Sequence, residues 1–315
     1  MKATGSRKTK SSEEHSRMKR LVAALVLIFA AAILVFVATR PASLPPTALP
    51  QHKPDPANGQ RLFYAGGCAS CHSSVPGDSD PTLLGGGLAM ETPFGLFRVP
   101  NISPHPANGI GDWTMLDFVN AMHLGSSPDR QHYYPAFPYA SYSRIRIEDL
   151  MDLKSYMDTL PAVAGSIAGH ELKFPWNIRA GIGLWKRFNL DVSFIARDIS
   201  SSPLWERGRY LVEGPGHCGE CHTPRNWMGG LDNTRWLAGA ANPEGEGRVP
   251  NITPHKNGLS DWDEGDIEYY LATGFTPDFD SVGGSMVKVQ ENMAQLSARD
   301  RKAIAVYLKS IPPLD

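Results

Sequence analysis

Cys68-Ala69-Ser70-Cys71-His72 and Cys218-Gly219-Glu220-Cys221-His222 hold all four cysteines of the 315-residue chain. Two thiols three positions apart can reach the two vinyl groups on one porphyrin edge, and the histidine that follows is then held beneath the iron. Each pentad therefore predicts a covalent haem c. Cys68, Cys71, Cys218 and Cys221 are the expected thioethers, and His72 and His222 the expected proximal iron ligands. Two other chemistries use Cys-x-x-Cys: a zinc site and a thioredoxin-type dithiol. Zinc pairs normally lie within one short domain, whereas these stand 150 residues apart and each is followed by histidine. No cysteine is left for a structural disulfide.

Electron-transfer haem iron takes a second axial ligand, usually Met or His. Met286, in Gly283-Gly284-Ser285-Met286 ahead of the last helical pattern, is the expected distal ligand of the second haem. Met293 is the backup, better suited to packing in a helix. The corresponding loop of the first copy is Tyr134-Pro135-Ala136-Phe137-Pro138-Tyr139, and Phe137 cannot ligate iron. His132, Met122, His123, Met90 and Met157 are the nearby candidates, each by itself more in keeping with surface or core. His132 is preferred because it flanks the loop. An open position is the other reading, and it would suit a dihaem enzyme of peroxidase type. Arg98, Trp113, Arg248 and Trp262, with Asn101 and Asn251, are candidates for packing on the haem or bonding its propionates. Loop or core roles without haem contact are the alternative.

These residues recur in register. Arg98-Val-Pro-Asn-Ile-Ser-Pro-His105 returns as Arg248-Val-Pro-Asn-Ile-Thr-Pro-His255, the same 150-residue offset as the pentads. Asn108 to Trp113 returns as Asn257 to Trp262, at 149. Such self-similarity is a duplicated domain. Each copy opens with a short helical pattern before the pentad and closes with an amphipathic one, ended by Pro161 or by Pro312 and Pro313. The expected copies are 57–160 and 205–315, joined by an aromatic connector, 161–204, that packs on one or both.

Leu21 to Thr39 is a run of 19 residues without charge, close to the roughly 20 that cross a bilayer. Seven Lys or Arg precede it, within an expected basic tail at 1–20. The positive-inside rule then places the N-terminus in the cytoplasm and the remainder in the periplasm, a single pass of a bacterial inner membrane. A cleaved signal peptide is the alternative, although its apolar core would span only about 7–15 residues. Residues 40–56 carry six prolines and predict an extended stalk holding the body off the membrane. The net charge of −1, with no long basic block in the interior, gives no case for nucleic acid. The 20-residue tail is too short for a signalling domain, which disfavours a haem-based sensor.

The chain resembles the cytochrome c subunits of bacterial membrane-bound alcohol, aldehyde and gluconate dehydrogenases. The resemblance rests on Thr92-Pro-Phe-Gly95, Val99-Pro-Asn-Ile-Ser-Pro104, Tyr134-Pro-Ala-Phe-Pro-Tyr139, Trp205-Glu-Arg-Gly-Arg-Tyr-Leu-Val-Glu-Gly214 and His217-Cys-Gly-Glu-Cys-His-Thr-Pro-Arg-Asn226. It implies an all-α fold of two tandem class I cytochrome c domains behind an N-terminal transmembrane helix. It also implies a protein without substrate chemistry of its own, taking electrons from a periplasmic dehydrogenase subunit or soluble donor toward quinone or a terminal oxidase. Several such subunits carry three haems, and this chain has two pentads. Many carry Met where Phe137 stands, so that ligand does not transfer.

Overall fold

The computed structural model describes residues 6–73, 80–197, 200–242, 245 and 247–315, with side chains from residue 15 onward in the first helix. That helix, α1, spans Ser6–Ala38. It takes up most of the expected basic tail together with the apolar run; Lys2 lies outside the described residues. His15–Ala38 is long and apolar enough to cross a membrane, with a mean hydropathy of 3.2 and none of that window buried.

The first copy of the repeat contains α2 (Pro56–Ala65), α3 (Cys68–His72), β1 (Ala89–Thr92), β2 (Gly95–Arg98), α4 (Met115–Leu124), α5 (Tyr139–Tyr142) and α6 (Ile147–Met157). The connector supplies β3 (Glu171–Leu172) and α7 (Ala180–Asn189). The second copy follows as α8 (Pro203–Glu213), α9 (Gly219–His222), β4 (Ala240–Ala241), β5 (Arg248–Val249), α10 (Glu264–Thr273), α11 (Met286–Met293) and α12 (Ala298–Ser310). The fold is mostly helical, with a few short strands beside the helices. β1 and β2 pair across the Pro93–Phe94 turn and take β3 of the connector as a third antiparallel strand, and β4 pairs with β5 in the second copy.

Local sequence sets the helix starts. Asp55 and Ser202 cap α2 and α8, each ahead of a proline that suits the first helical turn. Thr114 with Asp117, and Asp263 with Asp266, form capping boxes on α4 and α10. In each copy the first helix crosses the last at a glycine. A Cβ on Gly59 would sit 2.1 Å from the Asp152 carbonyl oxygen, and one on Gly208 1.9 Å from that of Ala303. These crossings anchor two apolar cores. One gathers Leu62, Phe63, Phe118, Leu150 and Leu153; the other Trp205, Leu211, Leu237, Ile304 and Tyr307.

The cores exchange members. Ala65 of α2 packs into the second, and Tyr210 of α8 into the first, where its hydroxyl meets Asp149 at 2.5 Å. The connector is bound as expected: Arg144 donates to the carbonyls of Asp191 and Ser193, and Glu213 accepts from the amides of Ile195 and Ala196. The Pro-rich segment is no free stalk. Leu44 and Leu49 pack on the first core, Leu44 donates its amide to Asn120 at 2.8 Å, and His52 reaches Asp152 at 2.6 Å. Leucines spaced among the prolines supply the apolar contacts that a solvated linker lacks.

Candidate haem sites

The residue before each pentad is left-handed: Gly67 at φ 55° and, at the equivalent position, His217 at φ 39°. This turn swings α3 and α9 out of line with the helix before them. A non-glycine residue in this conformation needs compensation. His217 has it, because its ring lies 5.5 Å from that of Tyr142 and also bonds the Gly66 carbonyl.

Both pentads fold alike. Cys68 and Cys218 are half-buried, whereas Cys71 and Cys221 are exposed. His72 Nδ1 donates to the Pro100 carbonyl at 2.8 Å, and His222 Nδ1 to the Pro250 carbonyl at 2.8 Å. A carbonyl can only accept, so Nδ1 carries the proton and Nε2 keeps its lone pair. Burial lowers both imidazole pKa values, that of His72 to about 4, so the rings are neutral at ordinary pH. Burial likewise pushes the Cys68 and Cys218 thiols up to about 12. A neutral imidazole in a fixed tautomer, beside two cysteines one helical turn apart, fits a covalently held haem. Among the described residues, no cluster of three or more His, Cys, Asp or Glu is placed to hold a metal ion, so the zinc reading finds no ligand set.

The repeated asparagines explain why the two proline carbonyls stand where they do. Asn101 donates to the Val163 carbonyl at 2.8 Å and accepts the Ser103 amide at 2.9 Å. Asn251 donates to the Leu314 carbonyl at 2.6 Å and accepts the Thr253 amide at 2.8 Å. They tie each proline loop to the segment after the copy's last helix. They bear on the histidines through the backbone, because Pro100 and Pro250 accept the imidazole protons.

Known proteins are similar to this sequence. The cytochrome c family model covers residues 56–161. A diheme cytochrome c-type protein of Cereibacter sphaeroides is 48% identical over 298 residues, covering 94% of this chain and 99% of that one. The chain is a dihaem member of the cytochrome c family. Two haem c groups are its cofactors. It is also 36% identical to the fructose dehydrogenase cytochrome subunit of Gluconobacter japonicus, over 85% of this chain. With the gluconate 2-dehydrogenase cytochrome c subunit of Pantoea cypripedii the identity is 35% over 82%. It spans 54% and 59% of the length of those two relatives.

The distal candidates of this cytochrome separate by position. Met286 opens α11, half-buried, two residues after Gly284 at φ 58°. Met293 is buried in the second core, and Met122 and Met157 in the first. Met90 lies half-buried on β1. His123 bonds the Ile145 carbonyl at 2.6 Å. His132 faces the exit of α1, where its Nε2 meets the Thr39 carbonyl at 2.7 Å. Phe137 stands in an aromatic cluster, its ring centroid 5.7 Å from Tyr133, 6.2 Å from Tyr139 and 5.8 Å from Tyr142. Trp113 packs on the first core and Trp262 on the second. Arg98 is paired with Glu171 at 2.5 Å, and Arg248 is exposed on β5.

Sequence reasoning missed the seam between the pentads. Ser141 Oγ donates to Glu220 at 2.9 Å, and Asn292 Nδ2 donates to Ser70 at 3.0 Å. A Cβ on Gly66 would lie 3.6 Å from Cys68 Sγ and 3.7 Å from the Pro215 carbonyl. The two copies therefore meet beside both attachment helices, with the His217 ring against Tyr142 at the seam. The only advance signal was that the repeat register extends to Ser141 and Asn292.

Proposed function

We propose that this cytochrome is anchored by α1 in a bacterial inner membrane, N-terminus cytoplasmic, with two tandem class I domains, 57–160 and 205–315, in the periplasm. It carries electrons from a periplasmic dehydrogenase toward the respiratory chain, with quinone or a terminal oxidase as acceptor. The dehydrogenase part of the reading draws on the relatives named as dehydrogenase subunits. The observation that carries electron transfer is that the two copies meet beside both matched pentads, where Ser141 bonds Glu220 and Asn292 bonds Ser70.

When bound, each haem supplies a one-electron couple at iron. The chain's own residues do the rest. Cys68, Cys71, Cys218 and Cys221 fix the ring covalently, and His72 and His222 present Nε2 from one side. Pro100 and Pro250 hold those imidazoles in orientation, and Met286 supplies the sulfur for the second site. His132, whose Nε2 meets the Thr39 carbonyl and whose buried Nδ1 has no hydrogen-bond partner among the described residues, is the candidate for the first site.

Phe137 favours one second reading, an enzyme of peroxidase type with an open first haem. Its aromatic surroundings offer little polar chemistry for cleaving an O–O bond. A low-temperature EPR spectrum of the oxidised protein is the test. Low-spin signals without peroxide turnover are expected. A high-spin first haem with peroxide turnover would reverse the ranking, and turnover of a small substrate by the purified chain alone would sink the carrier role.

A further inference from the structure

The connector helix α7 has one face engaged and one face bare. On the engaged side, Lys186 Nζ donates to the Leu124 and Gly125 carbonyls at 2.6 and 2.7 Å, and Trp185 donates to the Met228 carbonyl at 3.0 Å. On the bare side, one turn apart, are Leu184 and Phe188, the latter 68% exposed. The chain leading into the helix adds Phe174 (79% exposed), Trp176 and Ile178. Five large apolar side chains in fifteen residues is more than isolated surface exposure.

Gly183 sets this helix against the exit of α1. A Cβ there would lie 2.3 Å from the Thr39 carbonyl oxygen, so the two backbones meet because the residue is glycine. The same carbonyl accepts His132, and Arg179 donates to the His132 carbonyl at 2.8 Å. The end of the apolar helix and the start of α7 are therefore fastened to one spot. A ten-residue helix is about 15 Å long, so all of α7 lies within that distance of where α1 ends.

We propose that α7 and residues 174–178 form an interfacial lipid-binding surface, lying at the headgroup–acyl boundary of the leaflet from which α1 emerges. The proposal rests on α1 spanning the bilayer and adds the orientation of the haem-bearing body. Trp and Phe are at home at that boundary, and exposed Lys173 and Arg187 flank the apolar face with positive charge for anionic headgroups. Glu171 beside them is paired with Arg98. A dehydrogenase could also cover an apolar face, but continuity with the anchor exit and the basic flanks favour lipid.

The test uses the full haem-loaded chain in vesicles of phosphatidylcholine and phosphatidylglycerol that contain a phospholipid with a diazirine near its headgroup. After irradiation, adducts are mapped by peptide mass spectrometry. Adducts at both 21–39 and 174–188 are expected. The Leu184→Asp, Phe188→Asp double variant, with haem absorption unchanged, should lose the second set several-fold and keep the first. Adducts at 21–39 alone overturn the proposal and leave the anchor standing. Adducts at 174–188 that persist in the double variant also overturn it. A chain without adducts at 21–39 refutes the anchor itself, and this proposal with it.

Discussion

Ser141 in α5 donates a hydrogen bond to Glu220 in the second pentad at 2.9 Å, joining the copies at the place where each turns to present its cysteines. Asn292, 151 positions after Ser141, returns the contact to Ser70, 150 before Glu220. The seam is thus a pseudo-twofold one. Glu220 also takes Arg225 at 2.8 Å, so its charge stays compensated when Ser141 is removed. The Ser141→Ala, Asn292→Ala double variant should lose about 2–4 kcal/mol, from one bond to a charged acceptor and one neutral bond. Hydrogen exchange of the amides in 66–72 and 217–222 should quicken together. Unchanged exchange at both pentads would show that the two bonds do not hold the seam.

The crossing glycines predict a loss inside each copy. Gly59→Ala and Gly208→Ala each force a methyl into a backbone carbonyl, and overpacking of this kind costs about 1–3 kcal/mol. Gly169→Ala is the control, because a Cβ there meets nothing within 4 Å. Thermal melts should fall for the first two and hold for the third. Equal melts for all three would mean that the helices separate at little cost.

Much of this was legible in the sequence, because covalent haem attachment needs fixed residue types at fixed spacing. The pentads and the repeat register named both sites and both bracketing helices. The Pro-rich segment was misjudged since proline count says how a chain extends and nothing of what it lies on. Leu44 and His52 decide that by meeting Asn120 and Asp152, 76 and 100 positions away. Repetition marked Asn101 and Asn251 as sharing a role, and their bonds to the Val163 and Leu314 carbonyls depend on where the end of each copy folds back. His217 was quoted only as part of a motif, and its ring acts on the other copy.

Asp152 predicts how acid opens the first copy. Burial alone would raise its pKa, but the amide of Asp55, the side chain of Asn58 and His52 outweigh this and lower it. A carboxylate with a lowered folded pKa contributes stability above its ordinary range, near pH 4, and loses it as pH falls through the folded value. Denaturation of the native chain should therefore steepen below about pH 4. Asp152→Asn should be less stable at pH 7 by about 1.5–3 kcal/mol and lose that part of the acid slope. Parallel slopes for the two proteins would show that Asp152 titrates alike in both states.

Met286 and Met293 make opposite predictions although they sit seven residues apart. Met293 is buried among Leu271, Leu296 and Ile304. Its replacement by Ala should cost about 2–5 kcal/mol and leave the iron signals alone. Met286 starts α11 half-buried, so Met286→Ala should cost little stability. It should instead convert one low-spin EPR signal to high spin and admit carbon monoxide to one haem of the two. Met286→His should restore a low-spin signal at lower midpoint potential, because methionine ligation raises it relative to bis-His. The pairing of outcomes decides the assignment. If Met293→Ala changes the spectrum and Met286→Ala does not, the sulfur comes from the core methionine, and the loop at Gly283 and Gly284 serves only to start the helix.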